Sequence, residues 1–228
     1  MKDIYVYEGT NVLINKLDIR NGKELDEKEG AVVSLNVVSI INNPFRIESV
    51  HDIKKVHQLL FSDLYGWAGK NRKMNMYKEE PVLDGLSVNY SEYKNIDNDL
   101  NKLDQYYKKI KWNELPKKEI IKEIVLVVSR LWRIHCFREG NTRSVTTFLF
   151  LLMKQLKLKV NIDFIGKHAK FFRNALVLAS IDEYSEYEHL TNILMDSISL
   201  KVSDSGKYKT IREYEVDKYE YRNHKYKD

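Results

Sequence analysis

The chain has 228 residues, 43% hydrophobic and 31% charged, with a formal net charge of +5, nine glycines, three prolines and one cysteine. That length buries a proper core in one domain and the balance is globular, which excludes a disordered, fibrous or disulfide-scaffolded protein. Charges of both signs are interspersed, so no direct nucleic-acid binding is expected, and no segment is apolar enough to span a bilayer or built as a signal peptide. The lone cysteine, Cys136, fits a reducing compartment. A cytoplasmic protein without membrane contact is the expectation, secretion as an effector being the other reading.

In chain order, the first thirty residues mix turn signals (Glu8-Gly9-Thr10-Asn11, Arg20-Asn21-Gly22) with the apolar group Val12-Leu13-Ile14. A helix is predicted from about 24 to 41, carrying Leu25, Val33 and Val37, and ending at Asn42-Asn43-Pro44 because proline cannot continue it. Ser49 or Glu48 then caps a second helix, with Val50, Ile53, Val56, Leu60 and Leu64 at helical spacing. It stops before Gly66-Trp67-Ala68-Gly69.

From Arg72 to Tyr90 the helical period is lost, and the segment reads as an irregular loop or small hairpin. Helices resume at about 92–111, 117–134, 141–156, 166–180 and 185–200. The last stretch alternates charges with tyrosines. The expected architecture is all-α, a helical domain with a small β-hairpin flap. Its parts are a leader and helix packed on the core (1–45), the main domain (46–200) and a charged, Tyr-rich tail (201–228).

One nine-residue stretch concentrates the chemistry: His135-Cys136-Phe137-Arg138-Glu139-Gly140-Asn141-Thr142-Arg143, wedged between two apolar helices. Polar groups there cost free energy unless they are satisfied or used. Gly140 permits a sharp turn into the next helix, and Asn141 is a good residue to begin it. The free N–H groups and dipole at that helix start suit a phosphate. Arg143 adds a bidentate cation. Glu139 suits Mg²⁺, which takes one or two carboxylates plus phosphate oxygens. His135 suits removal of a proton from a hydroxyl. Together they describe transfer of a phosphate-containing group. The bland alternatives are a satisfied core histidine and a Glu139–Arg143 pair. His57 and Trp67 read as structural.

His-x-Phe-x-Glu-Gly-Asn-x-Arg resembles the signature of Fic domains, and the likeness extends to His57-Gln58-Leu59-Leu60-Phe61, Tyr65-Gly66-Trp67-Ala68-Gly69-Lys70-Asn71-Arg72 and the opening Tyr7-Glu8-Gly9-Thr10-Asn11. The resemblance implies a protein adenylyltransferase that uses ATP and Mg²⁺ to place AMP on a hydroxyl of a protein substrate. It makes His135 the base, Glu139 the metal ligand, Gly140, Asn141 and Thr142 the anion hole, and Arg143 the contact to the outer phosphates. Phe137 anchors the loop. Met74, Asn75, Met76, Tyr77 and Lys78 belong to a flap that aligns the target by strand pairing. A Doc-like kinase and a non-catalytic binding module are the alternatives.

The sequence departs from the family pattern at Cys136, where proline is usual, at Thr142, where glycine is commonest, and at Thr146, where relatives carry a second arginine. In relatives that arginine pairs with the glutamate of an inhibitory Ser/Thr-x-x-x-Glu helix, and no such spacing occurs in this chain. Both halves of that clamp are therefore expected to be absent. A toxin restrained by a separate antitoxin and an effector delivered to a host are both open, as is the oligomeric state.

Overall fold

The computed structural model describes residues 3–199, and its regular structure is helical. The Tyr-rich tail lies outside the described residues. Helix α1 (Gly22–Asn42) starts where the Asn21 side chain accepts the Glu24 N–H, and it stops ahead of Pro44. Ser49 and Asp52 form a capping box that opens a short 3₁₀ turn leading into α2 (Ile53–Phe61). After the long irregular segment come α3 (Ile96–Lys109), α4 (Lys117–Ile134) and α5 (Asn141–Gln155). Two shorter helices, α6 (Ile162–Lys167) and α7 (Ala169–Leu178), precede α8 (Glu188–Ser199).

Helices α4 and α5 are the centre of the core. Ile121, Ile124, Val127, Val128 and Leu131 of α4 are at most 1% exposed, as are Phe148, Leu149 and Leu152 of α5. Helices α1, α2 and α4 pack on α5, while α3, α7 and α8 pack on α4. The leader is tied down by Asn15, whose amide donates to the carbonyls of Leu13 and Ile19.

Two expectations change. The β-hairpin is not formed: among the described residues the one β-bridge is Val6–Leu13, in the leader. Residues 72–90 run as an extended chain interrupted by a 3₁₀ turn at Pro81–Leu83, which the rigid φ of proline starts. The helix expected at 166–180 is two helices parted at His168, whose backbone (φ −110°, ψ 29°) lies off the helical region.

Candidate active site

The site is built where α4 stops and α5 starts. His135 caps α4 with left-handed backbone angles (φ 52°, ψ 57°). For a residue with a Cβ this costs about 1 kcal/mol or more, so the surroundings must enforce it. They do: the His135 carbonyl accepts a 2.7 Å bond from Arg72 Nε, and its N–H donates to the Trp132 carbonyl at 3.1 Å. The ring is buried, with Tyr90 at 4.0 Å and Trp132 at 5.3 Å between centroids. Nδ1 lies 3.3 Å from the Trp132 carbonyl. A carbonyl only accepts, so Nδ1 carries the proton and Nε2 presents a lone pair. Nε2 itself has no hydrogen-bond partner. Burial and then the Lys78 charge push the imidazole down to about 3, which keeps it neutral.

The loop that follows is clamped by its own residues. The Asn141 amide closes it from both sides, accepting the Phe137 N–H at 2.9 Å and donating to the Phe137 carbonyl at 2.8 Å. Phe137 stacks on His57 at 3.8 Å. His57 accepts the Gly69 N–H at Nδ1 and bridges to the Glu139 carbonyl through Nε2. Burial holds that imidazole near 4, so His57 staples the Trp-Ala-Gly turn to the loop as a neutral structural residue. Cys136 is buried and its thiol is pushed up to about 12 by burial, so it is inert.

Gly140 turns the chain into α5 at φ +81°, and a Cβ there would stand 2.4 Å from the Phe61 ring. Only glycine fits. The first intrahelical bond of α5 runs from Ser144 N–H to the Gly140 carbonyl. The amides of Asn141, Thr142 and Arg143 therefore precede it and point out of the helix start. The Gly140 N–H is engaged by Glu139 Oε1 at 2.9 Å. Thr142 spends its hydroxyl on the Trp132 indole N–H at 3.0 Å, which explains how a threonine is accommodated there.

Glu139 is crowded by cations, Lys78 Nζ at 3.2 Å and Arg143 at 3.8 Å. Burial works to raise its carboxyl, but Lys78, the Gly140 N–H and Arg143 together hold it below the usual value. Arg143 also lies over the Phe61 ring at 4.9 Å. Base, carboxylate, cation and helix start thus come together as expected, within one turn and the flap that covers it.

In the flap, burial alternates. Met74, Met76 and Lys78 face inward, while Asn75, Tyr77 and Glu79 face solvent. The amides of Met76, Tyr77 and Glu79 carry no hydrogen bond among the described residues. A period-two chain with free amides is an edge that can accept another strand.

Three residues that sequence reasoning passed over hold the site. Arg72, 1% exposed, donates to His135, Met74 and Ser91, and its own N–H to Cys136. It fixes both feet of the flap to the loop that follows α4. Glu80, fully buried, takes a bidentate bond from Arg173 of α7 at 2.7 and 3.0 Å and a third from the Tyr90 hydroxyl. Arg72 closes the Tyr65–Arg72 block quoted above, but between Lys70 and Lys73 nothing local marks it as the buried cation.

The third is Glu29. It sits on α1, 7% exposed, and pairs with Arg143 at 2.5 Å while accepting the Tyr65 hydroxyl. The second arginine and the Ser/Thr-x-x-x-Glu spacing are both missing, and the pair found here is a different one, Glu29 with Arg143. Leu25 stands four residues before Glu29, so the Ser/Thr-x-x-x-Glu search misses it. The crossing of α1 over the start of α5 brings the carboxylate to Arg143 all the same.

Fold and site together define an all-helical domain with an open helix start beside a buried neutral histidine. The family model described as Fic/DOC matches residues 47–153 of the chain. It is 25% identical over 197 residues to protein adenylyltransferase VbhT of Bartonella schoenbuchensis, covering 85% of this chain and 38% of that protein. The chain therefore spans well under half of that relative. Among solved structures it is similar to the N-terminal Fic domain of the effector Bep8 from Bartonella sp. 1-1C (TM-score 0.70, 20% identity, 85% of this chain and 94% of that chain). It is also similar to BepC of Bartonella tribocorum with bound AMPPNP (TM-score 0.67, 22% identity, 85% and 95%).

Proposed function

We propose that the protein is an adenylyltransferase that moves AMP from ATP to a hydroxyl side chain of a target protein. The observation that carries this reading is His135: a buried, neutral imidazole with its Nε2 lone pair unpartnered, one short loop from the open amides of α5. The target's hydroxyl oxygen attacks the α-phosphorus, its proton passes to His135 Nε2, and the bond from that phosphorus to the bridging oxygen breaks to release pyrophosphate. The amides of Asn141, Thr142 and Arg143 hold the charge that develops on the phosphoryl oxygens. Arg143 grips the outer phosphates once Glu29 releases it. Met74, Asn75, Met76, Tyr77 and Lys78 offer the edge along which a target segment lies. VbhT bears the name protein adenylyltransferase and BepC was solved with an ATP analogue, which supports the same chemistry here.

Mg²⁺ fits the residues present. No cluster of three or more His, Cys, Asp or Glu suited to a metal occurs among the described residues, so Glu139 would supply the carboxylate and substrate phosphates the other oxygens. Glu139 already has a cation, the Lys78 ammonium, at 3.2 Å. A divalent ion on that carboxylate would neutralise phosphate charge.

No described helix is long and apolar enough to cross a membrane. The reading places the work in a cytoplasm, the cell's own or, for an effector, a host's. With Glu29 engaging Arg143 in cis, a toxin of this design has a restraint before any separate antitoxin binds. The test is incubation with labelled ATP, Mg²⁺ and cell lysate beside His135→Ala. Labelled proteins are expected with wild type and none with the variant, whereas equal labelling by both would remove His135 from the chemistry.

A further inference from the structure

Lys78 is the flap residue that reaches the reacting groups. Its ammonium lies 3.2 Å from Glu139 Oε2, and its charge is the second cause of the depressed His135 imidazole. It therefore stands near both the base and the metal carboxylate. Its neighbours Tyr77 and Glu79 face solvent, while Lys78 is half-buried and its N–H bonds Ser87 Oγ. Of the three inward-facing side chains of the flap, Met74, Met76 and Lys78, only Lys78 is charged, and its ammonium meets Glu139.

Two cations cannot share Oε2 of one carboxylate at contact distance without repulsion. A divalent ion arriving with nucleotide is the stronger ligand for a hard oxygen, so it displaces the ammonium. The same ion brings phosphates within reach of a lysine whose stem is already anchored. The helix start beneath has one arginine, Arg143, with Thr146 one turn on, so a further cation at the phosphates is wanting there.

We propose that Lys78 exchanges partners during the reaction, holding Glu139 before metal binds and then donating to a non-bridging oxygen of the α-phosphate as AMP moves. The ammonium keeps its proton throughout, and His135 remains the base. Lys78 is in this sense a catalytic residue, and the flap is a sensor of metal as well as an edge for the target. This inference rests on the adenylyltransferase reading.

The experiment compares wild type, Lys78→Met and Lys78→Arg by Mn²⁺ titration followed by electron paramagnetic resonance, and by AMP transfer at saturating ATP and Mg²⁺. Lys78→Met is expected to bind Mn²⁺ about three- to five-fold more tightly, because an exposed ion-pair competitor has gone. Its transfer rate is nevertheless expected to fall about ten-fold or more, and Lys78→Arg to recover part of it. Unchanged Mn²⁺ affinity would overturn the exchange. Tighter Mn²⁺ with equal or faster transfer would make Lys78 a plug and overturn the phosphate contact. If wild type transfers no AMP to any protein, the adenylyltransferase reading fails, while the Mn²⁺ titration still decides whether Lys78 and metal compete.

Discussion

His135 and His57 are neutral inside the fold because burial pushes them down to about 3 and about 4 from an ordinary value of 6.5. The unfolded chain therefore binds protons at both below about pH 6.5 while the folded chain does not, and stability falls as pH drops through that window. Each histidine contributes a loss of about 1 kcal/mol per pH unit. Urea unfolding at pH 7.5 and pH 5.0 should show a marked drop in midpoint, and His57→Gln should shrink it. The lowered carboxyls, Asp3, Asp97, Asp104 and Glu139, act on the opposite side, losing their stabilisation only below the ordinary carboxylate range, so the interval from 6.5 to 5 isolates the histidines. A midpoint unchanged over that interval would mean that the rings are not buried as described.

At the same scale, Glu29 pairs with Arg143, the cation proposed above for the outer phosphates. Glu29→Gln keeps an acceptor for the Tyr65 hydroxyl and removes the charge that binds Arg143. A charged hydrogen bond contributes about 1.5–3 kcal/mol, so AMP transfer by this variant should rise about ten-fold, with a lower KM for ATP. No change in either constant would show that the pair does not restrain the site.

Elements decide how those residues meet. The start of α5 depends on Gly140, whose positive φ and contact with Phe61 leave no room for a side chain. Gly140→Ala should lower stability by about 1–3 kcal/mol, read by thermal melting, and weaken nucleotide binding because the turn shifts the amides of Asn141 and Thr142. The flap makes a different demand. Tyr77 is 67% exposed, so Tyr77→Pro removes one free edge amide and little else. Transfer to a protein target should fall about five-fold while binding of a fluorescent ATP analogue stays as in wild type. Loss of both together would mean that the flap shapes the nucleotide site.

Much of this was readable in the chain. Helices α1, α4 and α5 have local signals, Asn21 and Asn43-Pro44 bounding the first and strong apolar periodicity marking the others. The nine-residue loop announces itself as polar groups between buried faces. What escaped depends on distance. Glu29 meets Arg143 across 114 positions, and Arg173 meets Glu80 across 93. No spacing rule encodes such pairs. The flap reads as an irregular loop or small hairpin because the helical period is lost there, but pairing needs a partner strand, and among the described residues it has none.

At the scale of the whole molecule, one helical core fixes two helix ends against each other and leaves the flap to cover them. Arg72 joins the flap's feet to the loop, and Arg173–Glu80 ties its turn to α7, so Tyr90 over His135 is held from both sides. The chain spans well under half of VbhT.

The central claim is that the phosphorus attacked is the α-phosphorus of ATP and that His135 takes the proton. The most direct measurement uses ATP labelled in parallel at the α- and γ-phosphate, with lysate, Mg²⁺ and either wild type or His135→Ala. Protein-bound label from the α position alone, lost in the variant, is the expected result. Label arriving from the γ position would identify a kinase and contradict the claim.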